Sequence, residues 1–190
     1  MQNNENREFP KLTTSRLLLD PLTMKDAKDV FAIFSDPRVI KNYDVQIFKD
    51  ISEAEGLIDY FYLRFESDTG IRWAIRDKQT GELIGSCGFN TWNPYDHCAV
   101  VGYELAPQFW GKGYASEAVS AILDFIFAKS FYFYVNRVEA LILPQNKPSA
   151  QLVKKLGFAL DGVMRGKTYW NDDFHDIAMY SMLNKQWHAR

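Results

Sequence analysis

The sequence predicts an α/β (α+β) fold: one mixed, mostly antiparallel twisted sheet of about seven strands that carries about four helices. Short apolar or alternating runs end at clusters of Pro, Gly, Asn and Asp, and the stretches between them repeat apolar residues every three or four positions. The chain of 190 residues shows no linker, internal repeat or low-complexity tract. Residues 1–190 are therefore expected to form one domain, with residues 1–11 as a loose polar tail.

The composition is that of an ordinary soluble protein, with 47% hydrophobic residues, 24% charged residues and a formal net charge of −2. This balance argues against general binding of nucleic acid. No stretch approaches the roughly 18 uninterrupted apolar residues of a membrane span. Cys87 and Cys98 lie in apolar, strand-like segments and no signal peptide is recognisable, so we expect reduced thiols in a cytoplasmic protein.

Seven segments carry the strand pattern, because their residues are apolar or alternate with polar ones and turn residues bound them. The predicted strands are 17–22 (ending near Pro21), 71–76, 82–89, 99–105, 137–143, 163–170 and 176–183. Residues 71–89 are expected to form an antiparallel hairpin. Gly85 and Gly88 within it indicate a bulge or a close approach by another segment.

Four segments carry the helical pattern, an apolar stripe that begins at a capping residue. The predicted helices are 24–35, a helix that starts at the capping-box pair Ser52 and Glu55, 113–129, and a helix capped by Asn146 and ended by Gly157. Residues 36–50, rich in Tyr, Phe and Asp, are expected to be an irregular loop on the substrate side.

One junction organises the rest of the chain. The strand 99–105 runs through Pro107 into a loop with Gly111 and Gly113, and the loop opens directly into a helix. Such a junction directs unpaired backbone N–H groups and the positive end of a helix dipole at one spot. It suits a phosphate or pyrophosphate.

Three other interpretations of this junction are weaker. A P-loop needs Lys and Ser or Thr after its last glycine, whereas Tyr114 and Ala115 follow Gly113. A dinucleotide fingerprint needs a third glycine where Ser116 stands, and a parallel βαβ unit. A turn without a ligand does not need two glycines around Lys112 at a helix start.

The segment 108–115 resembles the pyrophosphate loop Gln/Arg-x-x-Gly-x-Gly/Ala of the GNAT N-acetyltransferases. The block 146–158 is similar to the other signature of that family. Residues 160–165 and 171–176 resemble its Rim branch, the ribosomal-protein N-terminal acetyltransferases and their relatives. The resemblance covers roughly residues 13–183. It implies the GNAT acyltransferase fold, with two splayed strands that form a wedge, and acetyl-CoA as donor without a metal.

The resemblance also implies which residues contact acetyl-CoA: Leu105, Gln108, Trp110, Gly111, Lys112, Gly113, Tyr114, Ala115, Asn146 and Ser149. Backbone N–H groups of 110–115 are expected to bind the pyrophosphate, with the side chain of Lys112 solvated. The N–H of Leu105 is expected to polarise the thioester carbonyl and stabilise the oxyanion. Asn146 serves equally well as a helix N-cap.

Three positions depart from the family pattern. Val100 and Leu141 stand where relatives carry Glu, and Val153 stands where many carry a Tyr acid. A dedicated acid and base are less necessary for an α-amine, with a reference pKa near 8, than for lysine, which costs roughly 3 kcal/mol more to deprotonate. The departures therefore favour an α-amine acceptor, and a thiol with a pKa near 8.5 leaves as thiolate.

Glu104 is the first candidate for a proton acceptor, because it shares a strand face with Val100 and Gly102. The alternative is a solvated charge at the strand end. The other candidates are Glu139, Asp161, His97 and His175.

The sequence thus predicts an N-acetyltransferase that transfers acetyl directly, without a covalent intermediate, to an amine acceptor. A protein or peptide N-terminus, as in ribosomal-protein acetylation, is the first expectation. A small-molecule amine (amino acid, polyamine or antibiotic) and a non-catalytic acyl-CoA sensor are the alternatives. Neither nucleic acid nor membrane is an expected partner, and monomer and homodimer both stay open.

Overall fold

A computed structural model describes residues 8–43, 45–128 and 133–190. Its eight strands form one sheet in the order β1-β2-β3-β4-β5-β6-β8-β7. The strands are β1 Leu12–Thr13, β2 Leu17–Pro21, β3 Ile71–Asp77, β4 Leu83–Asn93, β5 Cys98–Leu105, β6 Arg137–Ile142, β7 Ala159–Trp170 and β8 Asp173–Leu183. All neighbours are antiparallel except β5 and β6.

Helices cover both faces of the sheet. They are α1 Ala27–Phe34, α2 Pro37–Ile40, α3 Ile51–Glu66, α4 Tyr114–Ile126, α5 Lys147–Lys155 and α6 Asn184–Trp187, with 3₁₀ turns at Met24–Asp26 and Pro107–Phe109. The larger core lies between the sheet and α4 and α5, and a second core lies under α1 and α3. The mixed fold is confirmed; the elements beyond the predicted number are the two-residue β1 and the four-residue α2 and α6. Among the described residues, no helix is long and apolar enough to cross a membrane.

The glycines of the predicted hairpin lie where strands approach closely. An added Cβ on Gly85 would lie 2.2 Å from the carbonyl oxygen of Glu104, and one on Gly88 would lie 2.0 Å from that of Ile71. The pairing of β3 with β4 also shifts register opposite Gly85. The bulge and the close approach are both confirmed.

Two expectations in the first third of the chain are wrong. The capping box of α3 is formed by Asp50, which accepts from the N–H of Ser52 at 2.9 Å, and by Glu53, which accepts from the N–H of Asp50 at 2.9 Å. The predicted pair Ser52 and Glu55 lies two residues further along, inside the helix. Within the predicted irregular segment, Asp36 caps the short helix α2 and accepts from the N–H of Arg38 at 2.8 Å.

The predicted loose tail is wrong for residues 8–11, and residues 1–7 lie outside the described part of the chain. The ring of Phe9 packs against Phe65 at 4.9 Å and against Trp73 at 5.9 Å, and the indole N–H of Trp73 donates to the carbonyl of Pro10 at 2.7 Å. Aromatic burial therefore fixes this segment on the core.

The last hairpin is longer than predicted. Its turn contains only Asn171 and Asp172, both with positive φ, so β8 begins at Asp173. His175, expected in a polar turn, lies in β8 with its ring stacked 3.6 Å from that of Trp170. The predicted end of α4 at Lys129 falls outside the described residues; α4 ends at Ile126.

Candidate active site

Strands β5 and β6 separate after three residue pairs. The pairing runs from Cys98 with Arg137 to Val100 with Glu139, although both strands continue beyond it. A parallel pair that stops in mid-strand leaves a wedge. The splayed strands expected from the resemblance are therefore present.

The backbone of Leu105 faces this wedge. The N–H of Ala106 donates to the carbonyl of Ile84 on β4, and successive residues of an antiparallel strand direct their N–H and C=O groups to opposite edges. Leu105 therefore points its backbone groups away from β4, toward the β6 side. Its carbonyl accepts from the indole N–H of Trp110 at 2.8 Å.

A cavity of about 690 Å³ extends from the end of β5 to the glycine loop and the start of α5. It brings together most residues predicted to contact acetyl-CoA: Leu105, Trp110, Gly111, Gly113, Tyr114, Ala115, Asn146 and Ser149. Gln108 and Lys112 do not line it. Gln108 is exposed, and the exposed Lys112 has its ammonium 5.6 Å from the ring of Phe109.

The glycine loop has the backbone conformation that its sequence requires. Gly111 has φ +72° and Gly113 has φ +82°, values that residues with a side chain adopt only under strain. Gly113 is the N-cap of α4, so the unpaired N–H groups of the first turn lie beside the cavity. This arrangement can bind an anionic group without any charged side chain.

A cluster of hydrogen bonds around Glu117, which sequence analysis missed, holds the glycine loop and the start of α4 against residues 14–16. The carboxylate of Glu117, in the first turn of α4, accepts from the hydroxyls of Thr14 and Ser15 at 2.6 and 2.9 Å, from the N–H of Arg16 at 2.9 Å and from its Nε at 2.6 Å. The Nη1 of Arg16 donates to the carbonyl of Lys112 at 3.0 Å. Partial burial raises the pKa of Glu117, but these hydrogen bonds together lower it to about 2.

Ser149 joins α5 to β5 across the cavity, and Asn146 caps the helix that carries it. The side chain of Asn146 accepts from the N–H of Ser149 at 3.2 Å, so Asn146 is the N-cap of α5 as well as part of the cavity wall. The Ser149 Oγ lies 2.7 Å from the hydroxyl of Tyr103. Burial raises the pKa of Tyr103 to about 12, against the opposing effect of its hydrogen bond with Ser149.

Glu104 lines the cavity, but it is buried, so the alternative of a solvated charge is wrong. Its carboxylate pairs with the guanidinium of Arg72 and accepts from the hydroxyl of Ser86. The hydroxyl of Tyr43 donates to it at 2.6 Å. The role of Glu104 as proton acceptor stays a prediction.

Arg72 is the buried cation of this cluster and was not predicted. Its Nε donates to the Oγ of Ser86 at 2.8 Å and its Nη1 to the Oδ1 of Asn90 at 3.0 Å, while the ring of Phe61 lies 5.1 Å away. An added Cβ on Gly102 would lie 2.9 Å from the guanidinium. The missing side chain at Gly102 therefore leaves room for Arg72 to cross from β3 to β5.

The three positions that depart from the family pattern lie in different surroundings. Val100 is half-buried in the last β5–β6 pair, Leu141 is 42% exposed on β6, and Val153 is fully buried on α5. The other predicted proton acceptors do not line the cavity. Glu139 and Asp161 both pair with Arg137, at 2.7 and 2.5 Å.

His97 and His175 lie outside the cavity as well. The Nδ1 of His97 lies 2.7 Å from the carbonyl oxygen of Tyr134, and the Nε2 of His175 lies 3.1 Å from that of Trp170. Both cysteines are free thiols. Burial, and then the charge of Glu139, raises the pKa of Cys98 to about 11, and burial raises the pKa of Cys87 well above its usual range.

The wedge, the left-handed glycine loop and the cavity between them are the features that the resemblance to an acyltransferase fold implied. The chain belongs to the GNAT family: the family model described as "Acetyltransferase (GNAT) domain" matches residues 16–159. It is an N-acetyltransferase, as its relatives are.

Two bacterial proteins and one solved structure illustrate the similarity. The chain is 34% identical to the uncharacterized N-acetyltransferase YoaA of Bacillus subtilis (strain 168), covering 92% of this chain and 97% of that protein. It is 35% identical to the uncharacterized N-acetyltransferase p20 of Bacillus licheniformis, covering 93% and 97%. The structure of RimL, a ribosomal L7/L12 alpha-N-protein acetyltransferase in complex with coenzyme A, shares the fold with a TM-score of 0.83 and 19% identity, covering 93% and 99%.

Proposed function

We propose that this N-acetyltransferase moves the acetyl group of acetyl-CoA to the N-terminal α-amine of a protein or peptide, in the cytoplasm. The observation that carries the proposal is the cavity, which joins a glycine loop suited to pyrophosphate with a wedge suited to the thioester arm. The free thiols of Cys87 and Cys98 are typical of a reducing compartment.

The described residues fit acetyl-CoA at both ends of the cavity. Backbone N–H groups at the start of α4 suit the pyrophosphate, and the side chains of Lys41 and Lys155 add positive charge to the cavity wall. The N–H of Leu105 lies toward the wedge, where it can donate to the thioester carbonyl. That donor stabilises the negative charge that develops on the carbonyl oxygen when an amine attacks.

The transfer itself exchanges one bond for another. The amine nitrogen attacks the thioester carbon, the new C–N bond forms, and the C–S bond breaks to release the coenzyme A thiolate. The amine loses one proton, which passes to Glu104 or to water, and the thiolate takes up a proton from solvent. Among the described residues that line the cavity, Glu104 alone carries a carboxylate.

Two observations support an α-amine acceptor. Val100, Leu141 and Val153 supply neither base nor acid, and an amine with a reference pKa near 8 needs less help than lysine near 10.4. The RimL structure, named for the α-N-acetylation of a ribosomal protein, shares the fold. A ribosomal protein is thus the first acceptor to test.

The test compares acceptors by the release of free coenzyme A thiol from acetyl-CoA. Peptides with a free N-terminus should release thiol in proportion to product, and the same peptides with a blocked N-terminus and one internal lysine should release little. Free amino acids, polyamines and aminoglycosides complete the panel. Preferred release with any of these small amines would refute the peptide acceptor, and thiol release independent of every amine would refute acetyl transfer.

A further inference from the structure

In the described part of the segment between α1 and α3, the hydroxyl of Tyr43 forms hydrogen bonds to β5. Tyr43 donates from its OH to the carboxylate of Glu104 at 2.6 Å and lies 3.0 Å from the carbonyl oxygen of Tyr103. Both partners belong to β5, at the point where that strand has parted from β6. The hydroxyl therefore joins one wall of the cavity to the strand that carries the N–H of Leu105.

The carboxylate that receives this hydroxyl is fixed from two other sides. Arg72 and Ser86 contact Glu104 from β3 and β4, and the side chains of the Arg72–Glu104 pair are only 4% and 3% exposed. Glu104 therefore presents a rigid acceptor, and the partner that comes from outside the sheet is Tyr43. The hydroxyl of Tyr43 therefore links residues 38–43, which form a wall of the cavity, to a fixed carboxylate on β5.

On this basis we propose that Tyr43 is a positioning residue for acetyl transfer, which acts through Glu104 and the Tyr103 carbonyl. The inference rests on the proposed function of the cavity. Residues 38–43 other than Ile40 line the same cavity as Leu105 and the glycine loop. When Tyr43 fixes the end of this segment, the segment holds the acceptor amine against the thioester carbon. Without that contact the amine can adopt unproductive orientations.

The hydroxyl of Tyr43 keeps its proton and therefore remains a hydrogen-bond donor. Its burial, and then the negative charge of Glu104, raise the pKa of Tyr43 well above its ordinary value, so the group stays protonated throughout the working pH range. The ring is held separately, because it packs edge-on against Phe34 with centroids 6.0 Å apart. Replacement by phenylalanine thus removes the hydroxyl and keeps the ring contact.

The experiment compares Tyr43→Phe with Tyr62→Phe, a control on α3 where the tyrosine is 59% exposed. Removing a hydrogen bond to a charged group should lower kcat/KM for the acceptor by about tenfold to a hundredfold in Tyr43→Phe. The control should keep the wild-type value. The number of acetyl-CoA sites per chain, measured by calorimetry, should be unchanged in both variants.

Further readouts separate positioning from a general structural role and from proton transfer. A general structural defect would lower the number of acetyl-CoA sites per chain, whereas a positioning defect leaves that number unchanged. A positioning defect also keeps the fall in rate at low pH (the acid limb of the pH–rate profile), because Tyr43 does not itself take up the proton. Equal kcat/KM in the two variants, fewer sites, or a lost acid limb in Tyr43→Phe would overturn the inference.

Hydrogen exchange tests the contact without any acetyl transfer. The amides of 38–43 should exchange faster in Tyr43→Phe than in the wild type, and unchanged exchange would overturn the inference by itself. If the wild type released no thiol with any amine, the proposed function would fail, and the exchange result would still decide whether Tyr43 fixes this wall.

Discussion

Glu117 gives the sharpest quantitative test of how the glycine loop is supported. Its hydrogen bonds with Thr14, Ser15 and Arg16 lower its pKa from 4.5 to about 2. Each pKa unit corresponds to about 1.4 kcal/mol, so the charged carboxylate should stabilise the fold by roughly 3 kcal/mol. The side chain of Glu117 is 17% exposed, but that of its partner Arg16 is 44% exposed, so solvent screening reduces this figure. Glu117→Gln should lose most of the stabilisation at neutral pH.

The sign of the pH dependence follows from the direction of this pKa change. A carboxyl whose pKa is lower in the folded state contributes its full stability above the unfolded value near 4.5. The contribution is lost as the pH falls toward about 2. The difference in the free energy of unfolding between wild type and Glu117→Gln should therefore be largest at pH 6–7 and shrink steadily below pH 4.5.

Urea unfolding of both proteins between pH 2.5 and 7 measures this difference. Glu55→Gln, at an exposed position of α3, is the control, and it should change the stability by no more than about 0.5 kcal/mol. A Glu117→Gln difference that is below about 1 kcal/mol, or that does not change with pH, would refute the reasoning.

Two further predictions concern the cap of α5 and the thiols. Asn146→Ala should cost about 1 kcal/mol of stability and weaken acetyl-CoA binding, because Asn146 both caps α5 and lines the cavity. Asp50→Ala removes the cap of α3, outside the cavity, and should cost a similar amount of stability without changing acetyl-CoA binding. Calorimetry that finds the same affinity for acetyl-CoA in the two variants would contradict this. Cys98, with a pKa of about 11, should alkylate slowly at pH 7 and faster as the pH rises, and Cys87 should react only on unfolding; rapid alkylation of either at pH 7, measured by mass spectrometry, would disprove this.

Local patterns predicted the elements that position the cofactor loop. Two glycines at a strand-to-helix junction required left-handed backbone, and Gly111 and Gly113 have it. Asn146 preceded an apolar stripe with a proline in its first turn, and it caps α5. In both places the nearest neighbours in sequence determine the backbone, so the sequence contained the information.

The residues near the start of α3 did not decide which of two overlapping capping boxes the helix uses. Asp50 with Glu53 and Ser52 with Glu55 both have capping-box spacing, and the structure uses the earlier pair. Nothing within that window separates them, because the start of α3 also depends on how the helix packs on the sheet.

The buried cluster around Glu104 was beyond sequence patterns for a different reason. Arg72 and Glu104 lie about thirty residues apart, and the register of β3, β4 and β5 brings them together. Tyr43, about thirty residues before Arg72, reaches Glu104 from the segment between α2 and α3. Arg72 sits at a polar position of an alternating run, which usually faces water, but here α3 covers that face. The sequence placed Glu104 and Gly102 on one strand face, but the space that Gly102 leaves beside the guanidinium was not predicted.

The most direct test of the central claim, that the cavity binds acetyl-CoA through the glycine loop, is calorimetric binding to three proteins. Wild type should bind one acetyl-CoA per chain with micromolar affinity, and a Gly111→Val, Gly113→Val double variant should show no binding. Gly81→Val is the control, since Gly81 also has positive φ (+74°) but lies in the β3–β4 turn away from the cavity. The control should bind as the wild type does. Undiminished binding by the double variant would contradict the account.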